Sequence, residues 1–91
     1  MSGQIKTKEL IATETVIVAE NNLVLYNDDV NSFEFVIETL VEVCGHDFMQ
    51  AEQCAHLVHY KGKCSVKTGN FKELEPLCFT LLEKGLSAKI E

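Results

Sequence analysis

The sequence predicts an α+β fold: a two-layer sandwich in which a three-stranded antiparallel sheet is covered by three helices, in the order β-α-α-β-α-β. Three observations lead there. Apolar residues recur at steps of three and four in three stretches. Short strand-like runs stand at Leu23–Tyr26, Cys64–Thr68 and Leu86–Ile90. Glycine or polar clusters separate these elements.

The first strand is Leu23-Val24-Leu25-Tyr26, ended by Asn27-Asp28-Asp29, residue types that leave strands and enter turns. Asn31 with Glu34 three positions on is a capping-box pattern and predicts a helix beginning near Ser32. Phe33, Val36, Ile37, Leu40, Val41 and Cys44 share its apolar face, while Glu34, Glu38 and Glu42 occupy another. Gly45 stops it. Asp47 with Gln50 starts a second helix, with Phe48, Ala51, Cys54, Ala55 and Val58 on one face and Gly62 as its end.

Cys64, Val66 and Thr68 alternate with Ser65 and Lys67 as a half-buried strand that turns at Gly69. Asn70 with Glu73 caps another helix start, but Pro76 lacks the N–H that a straight helix from Phe71 requires. The expectation is one turn over 71–74, then a helix with Pro76 as an early residue and Leu77, Cys78, Leu81 and Leu82 on its apolar face. After Gly85, Leu86, Ala88 and Ile90 form the last strand.

With 91 residues there is room for one domain, and an apolar fraction of 46% against 24% charged is enough to fold it. The expected division is a mobile N-terminal tail over 1–21 and a core domain over 22–91. Within the tail, Thr15-Val16-Ile17-Val18 leaves open an added edge strand. A net charge of −6 opposes a phosphate backbone, so nucleic acid is excluded. No apolar run approaches the ~20 residues needed to span a bilayer, and the N-terminus lacks the order of a secretion signal. A cytoplasmic protein without a membrane partner is expected, with Cys44, Cys54, Cys64 and Cys78 reduced.

Polar material stands where two elements end: Asn27-Asp28-Asp29 after the first strand, and His59 near the end of the second helix. Two rival chemistries draw on the cysteines and histidines, with His46, His56 or His59 as the possible base. A zinc site drawn from Cys44, His46, Cys54, His56, His59 and Cys64 has no closed Cys-x-x-Cys pair to build on. A cysteine nucleophile with a histidine base lacks a third, orienting group. Neither a metal, a cofactor nor an enzymatic activity is expected.

The strings Asn27-Asp28-Asp29, Glu34-Phe35-Val36-Ile37, Val58-His59-Tyr60 and Gly62-Lys63 stand in the order and spacing of the ClpS adaptor family, which the chain resembles from about Leu23 to Glu91. The resemblance implies a non-catalytic adaptor. Such a protein binds substrates whose first residue is bulky and hydrophobic (an N-degron) and delivers them to a Clp AAA+ ATPase, ClpA- or ClpC-like, through its N-terminal domain. Asn27, Asp28 and His59 are then expected to hold the α-amino group, and Asp29, Asn31, Phe33, Val36, Ala55, Val58 and Leu86 to form the hydrophobic pocket. An ammonium offers three donors, which an Asn oxygen and an unprotonated imidazole nitrogen accept, with carboxylates adding negative potential.

The chain departs from the family pattern in several places. Phe33 stands where a Met often guards the pocket mouth, and Ala55 where a larger residue is frequent. The segment from Gly62 to Glu91 is several residues shorter. Lys72 and Leu77 stand near positions that are often acidic and basic, which leaves open which Clp ATPase is served. The alternative reading is a protein-interaction domain of the same fold that does not recognise N-termini.

Overall fold

The computed structural model describes residues 20–91. The elements are β1 (Asn21–Tyr26), α1 (Phe33–Cys44), α2 (Phe48–Lys61), β2 (Lys63–Gly69), α3 (Phe71–Glu83) and β3 (Ser87–Ile90). The sheet order is β2-β1-β3, and β1 pairs antiparallel with both neighbours. The expected α+β sandwich is therefore what the chain forms. Of the expected tail over 1–21, residues 1–19, with the Thr15–Val18 stretch, lie outside the described residues, and Asn21 belongs to β1. β1 begins at Asn21, two residues before the apolar run, because Asn22 exchanges both backbone hydrogen bonds with Glu91 at 2.8 Å.

Leu23 and Leu25 of the central strand point into the core, at 0% and 1% exposure. There they meet Val36, Ile37 and Leu40 of α1, Ala51, Ala55 and Val58 of α2, and Leu74 and Leu81 of α3. The helix ends are satisfied locally. Ser32 Oγ accepts from Phe35 N at 3.1 Å and Asp47 Oδ1 from Gln50 N at 2.8 Å. Gly45 and Gly62 close α1 and α2 in the left-handed region, at φ 71° and 95°.

Several expectations need correction. Asn31 is not the cap of α1; Ser32 is, because the Asn31 amide is drawn instead to Asp28 and to the Gly85 carbonyl. α3 is one continuous helix through Pro76 rather than a turn followed by a helix. The hydrogen bond that Pro76 cannot donate is outweighed by burial of Leu74 and Leu81, at 1% and 0% exposure, and by a reciprocal capping box between Asn70 and Glu73. Leu82 is 51% exposed, and Leu74 takes the core place expected of it. Val41 and Phe48 also face outward.

Thr68 is exposed because the β1–β2 register shifts at Leu23/Val24. The extra residue on β2 moves Thr68 to the outer face, where it and Ser65 both donate to Asn22 Oδ1, at 3.1 and 2.9 Å. His46, 5% exposed, sits beneath this bulge with Nε2 2.7 Å from the Val66 carbonyl oxygen. That oxygen only accepts, so the ring proton is on Nε2.

Candidate functional site

The loop from β1 to α1 is fixed at three points. Its first backbone N–H, on Asn27, donates to the Gly62 carbonyl at 2.9 Å, which ties the end of β1 to the end of α2. His59 lies in the last turn of α2, so this one bond explains why Asn27 and His59 come together. Within the loop, Asp28 Oδ1 accepts from Val30 N at 2.9 Å and Asn31 N at 3.0 Å, and the Asn31 amide donates to Oδ2 at 3.0 Å. The same amide donates to the Gly85 carbonyl at 2.8 Å, joining the loop to the turn before β3.

Burial works to raise the Asp28 carboxyl, but the N–H groups of Asn31 and Val30 and the Asn31 amide outweigh it and hold the group below its ordinary value. A depressed folded-state pKa contributes stability that is present above the unfolded-state value and lost as pH falls through the folded one. The Asp28→Ala variant is therefore expected to be less stable than the parent at about pH 7, with the gap closing towards about pH 2. Urea unfolding at both pH values measures this. A gap that stays constant would show that the carboxylate is not what holds the loop.

These contacts surround a cavity of about 380 Å³. Asn27, Asp28, Asp29, Asn31 and Ser32 form its polar rim, Phe33 and His59 flank it, and Val36, Ala55 and Val58 give it an apolar floor. Val36, Ala55 and Val58 are at most 9% exposed and supplied by two helices that face each other. The structure thus brings together every residue expected at the site except Leu86. Leu86 is 4% exposed and belongs to the core, and it is not among the lining residues. Its neighbour Gly85 reaches the site instead, through the Asn31 bond.

Sequence reading missed two contributors. Ser32 lines the rim, and its hydroxyl also caps α1; its place at the start of an apolar period was the available signal. His56 packs edge-on against Phe33, with ring centroids 4.8 Å apart, and stacks on Tyr60 at 5.9 Å. His59 meets Tyr60 edge-on at 4.8 Å. Phe33 is thereby held from the α2 side as one wall of the cavity.

The rival chemistries find no support in this geometry. Among the described residues, no three His, Cys, Asp or Glu side chains are grouped to hold a metal. Burial pushes the Cys44 thiol up to about 11 against the opposing pull of the Lys67 ammonium, and the neighbouring Cys54 adds a smaller upward push. Cys64 is pushed up to about 12, by burial first and then by Cys54. Protonated, buried thiols are poor nucleophiles. No helix among the described residues is long and apolar enough to cross a membrane.

Fold and site together define a small α+β module with an apolar-floored cavity whose mouth is lined by hydrogen-bond acceptors and carboxylates. The sequence profile of the ATP-dependent Clp protease adaptor protein ClpS matches residues 19–89, and the chain belongs to the ClpS family. It is similar to the ATP-dependent Clp protease adapter protein ClpS of Edwardsiella ictaluri, 43% identical over 54 residues, covering 57% of this chain and 51% of that one. The corresponding protein of Pectobacterium carotovorum is 41% identical over 54 residues, with the same coverage. The chain thus spans about half the length of the curated relatives it matches. In fold it is similar to Agrobacterium tumefaciens ClpS2, solved bound to L-phenylalaninamide, with a TM-score of 0.68 at 20% identity, covering 80% of this chain and 95% of that one.

Proposed function

We propose that this protein is an adaptor that binds substrate proteins through a bulky hydrophobic N-terminal residue and delivers them to a Clp AAA+ ATPase and its peptidase. The observation that carries the reading is the pairing of acceptors with an apolar floor in one cavity: Asn27, Asp28 and His59 at the mouth, Val36, Ala55 and Val58 below. The fold neighbour's ligand, a phenylalanine amide, has a free α-amino group and a benzyl side chain, the two features such a cavity accommodates. Asn27 and His59 accept from the ammonium. Asp28 acts mainly on its own loop, since its oxygens already accept from Val30 and Asn31, and its charge reaches the ligand through space. Asp29 adds a second negative charge at the rim. The adaptor supplies no catalytic step; cleavage belongs to the protease it serves, reached through the N-terminal domain of a ClpA- or ClpC-like ATPase.

Phe33 as an aromatic wall and Ala55 as a small floor residue favour a flat ring over a side chain branched at Cβ. A peptide beginning with Phe is expected to bind about tenfold more tightly than one beginning with Ile, and its acetylated twin not measurably. Fluorescence anisotropy with the three peptides tests both points. Equal binding of free and acetylated Phe peptides would favour a general interaction domain and remove the adaptor reading. Equal binding of Phe and Ile would remove only the assigned selectivity.

A further inference from the structure

On the far side of Phe33 lies a second concavity, of about 300 Å³, between α1 and α2. Its floor is Phe33, Ile37 and Phe48, and its rim is Glu34, Glu38 and Glu52. Phe48 is 62% exposed, which is unusual for an aromatic side chain with no polar atom. Glu34 and Glu38 are one helical turn apart, so their charges fall on the same face of α1. Among the described residues, the ion pair formed by α1 uses another carboxylate, Glu42, with Lys84 at 3.4 Å. Among the described residues, no Lys or Arg lines this groove.

We propose that this groove is a second cargo subsite, which takes a Lys or Arg side chain from the residues that follow the bound N-terminal residue. The inference rests on the adaptor reading above and deepens it. Phe33 is shared by the two concavities, so a chain leaving the first across Phe33 passes into the second. At 3.3–3.6 Å per extended residue, the second to fourth cargo residues lie within reach. Lys and Arg match both parts of the groove: the aliphatic stem covers Phe48 and Ile37, and the cationic head meets the glutamates. An acidic residue there meets three like charges. The subsite therefore selects among cargo proteins that share the same first residue.

The test uses peptides of common sequence that begin Phe-Ala-Ala, Phe-Lys-Lys or Phe-Glu-Glu, titrated against the full chain at low salt. The Lys peptide is expected to bind about fivefold more tightly than the Glu peptide. In the Glu38→Gln/Glu52→Gln variant the ratio should fall to about two or less, with affinity for the Ala peptide unchanged. Glu34 is left in place because it lies in the first turn of α1, where its charge supports the helix. A control variant, Glu75→Gln/Glu83→Gln on α3, makes the same change in net charge and should keep the fivefold preference. Equal affinities for the Lys and Glu peptides, with normal binding of the Ala peptide, would overturn the subsite alone. So would a preference that survives the groove variant, which would place it outside the groove, or one lost equally in the α3 control, which would trace it to net charge. If the Ala peptide does not bind, the adaptor reading fails and the subsite fails with it.

Discussion

The Asn27→Ala variant is expected to bind a Phe-led peptide about 10- to 100-fold more weakly than the parent while unfolding at nearly the same urea concentration. A hydrogen bond to a charged group contributes about 1.5–3 kcal/mol, which corresponds to that range of affinity. The fold should tolerate the change because Asn27's structural bond is made by its backbone N–H to the Gly62 carbonyl, which alanine retains. The side chain is exposed at the cavity mouth, so its removal leaves no cavity in the core. His59→Ala is a less clean probe, since His59 also packs against Tyr60. Anisotropy titration beside a urea melt separates binding from stability. An affinity within twofold of the parent would show that Asn27 is not an acceptor for the ammonium.

Sequence pattern revealed the fold where one local rule dominated and failed where distant contacts decided. Asp47 and Asn70 announce helix starts through their own side chains, and Gly45 and Gly62 announce helix ends, so α2 and the end of α1 are legible nearly to the residue. Asn31, not Ser32, reads as the cap of α1, but its amide bonds the Gly85 carbonyl 54 positions away, and no local spacing encodes that competition. Pro76 argued for a break that burial of Leu74 and Leu81 overrides. Thr68 followed a period of two that the bulge opposite Leu23/Val24 interrupts, and a bulge leaves no mark in an alternating pattern.

The candidate site divides in the same way. Asn27, His59 and the floor residues could be placed because motif spacing carries them. Leu86 is an expected pocket residue that packs in the core instead and is not among the residues lining the cavity, although Ala55 and Val58, just as buried, are. His56, which by residue type suits a metal ligand or a base, packs against the Phe33 wall instead. A ring contact between two helices depends on their relative rotation, which periodicity gives only to within a residue or so.

Leu40→Ala should produce a large loss of stability. Leu40 is 0% exposed and belongs to the core formed between α1 and the sheet. Its truncation removes buried apolar area and leaves a cavity, at a cost of about 3–5 kcal/mol. For a domain of this size that corresponds to a melting point roughly 15–30 °C lower. Val41 follows it on the same helix, and periodicity assigned both to one face. The structure leaves Val41 40% exposed, so Val41→Ala should cost under about 1 kcal/mol. Thermal unfolding of the two variants followed by circular dichroism tests the rotation of α1 directly, and equal losses would contradict it. Leu40 does not line the cavity, whereas Phe33 and Val36 on the same helix do. Below its melting range, Leu40→Ala should therefore bind in proportion to its folded fraction, with the affinity of the folded molecules unchanged. That is the reverse of the Asn27→Ala result, in which folding is kept and affinity is lost.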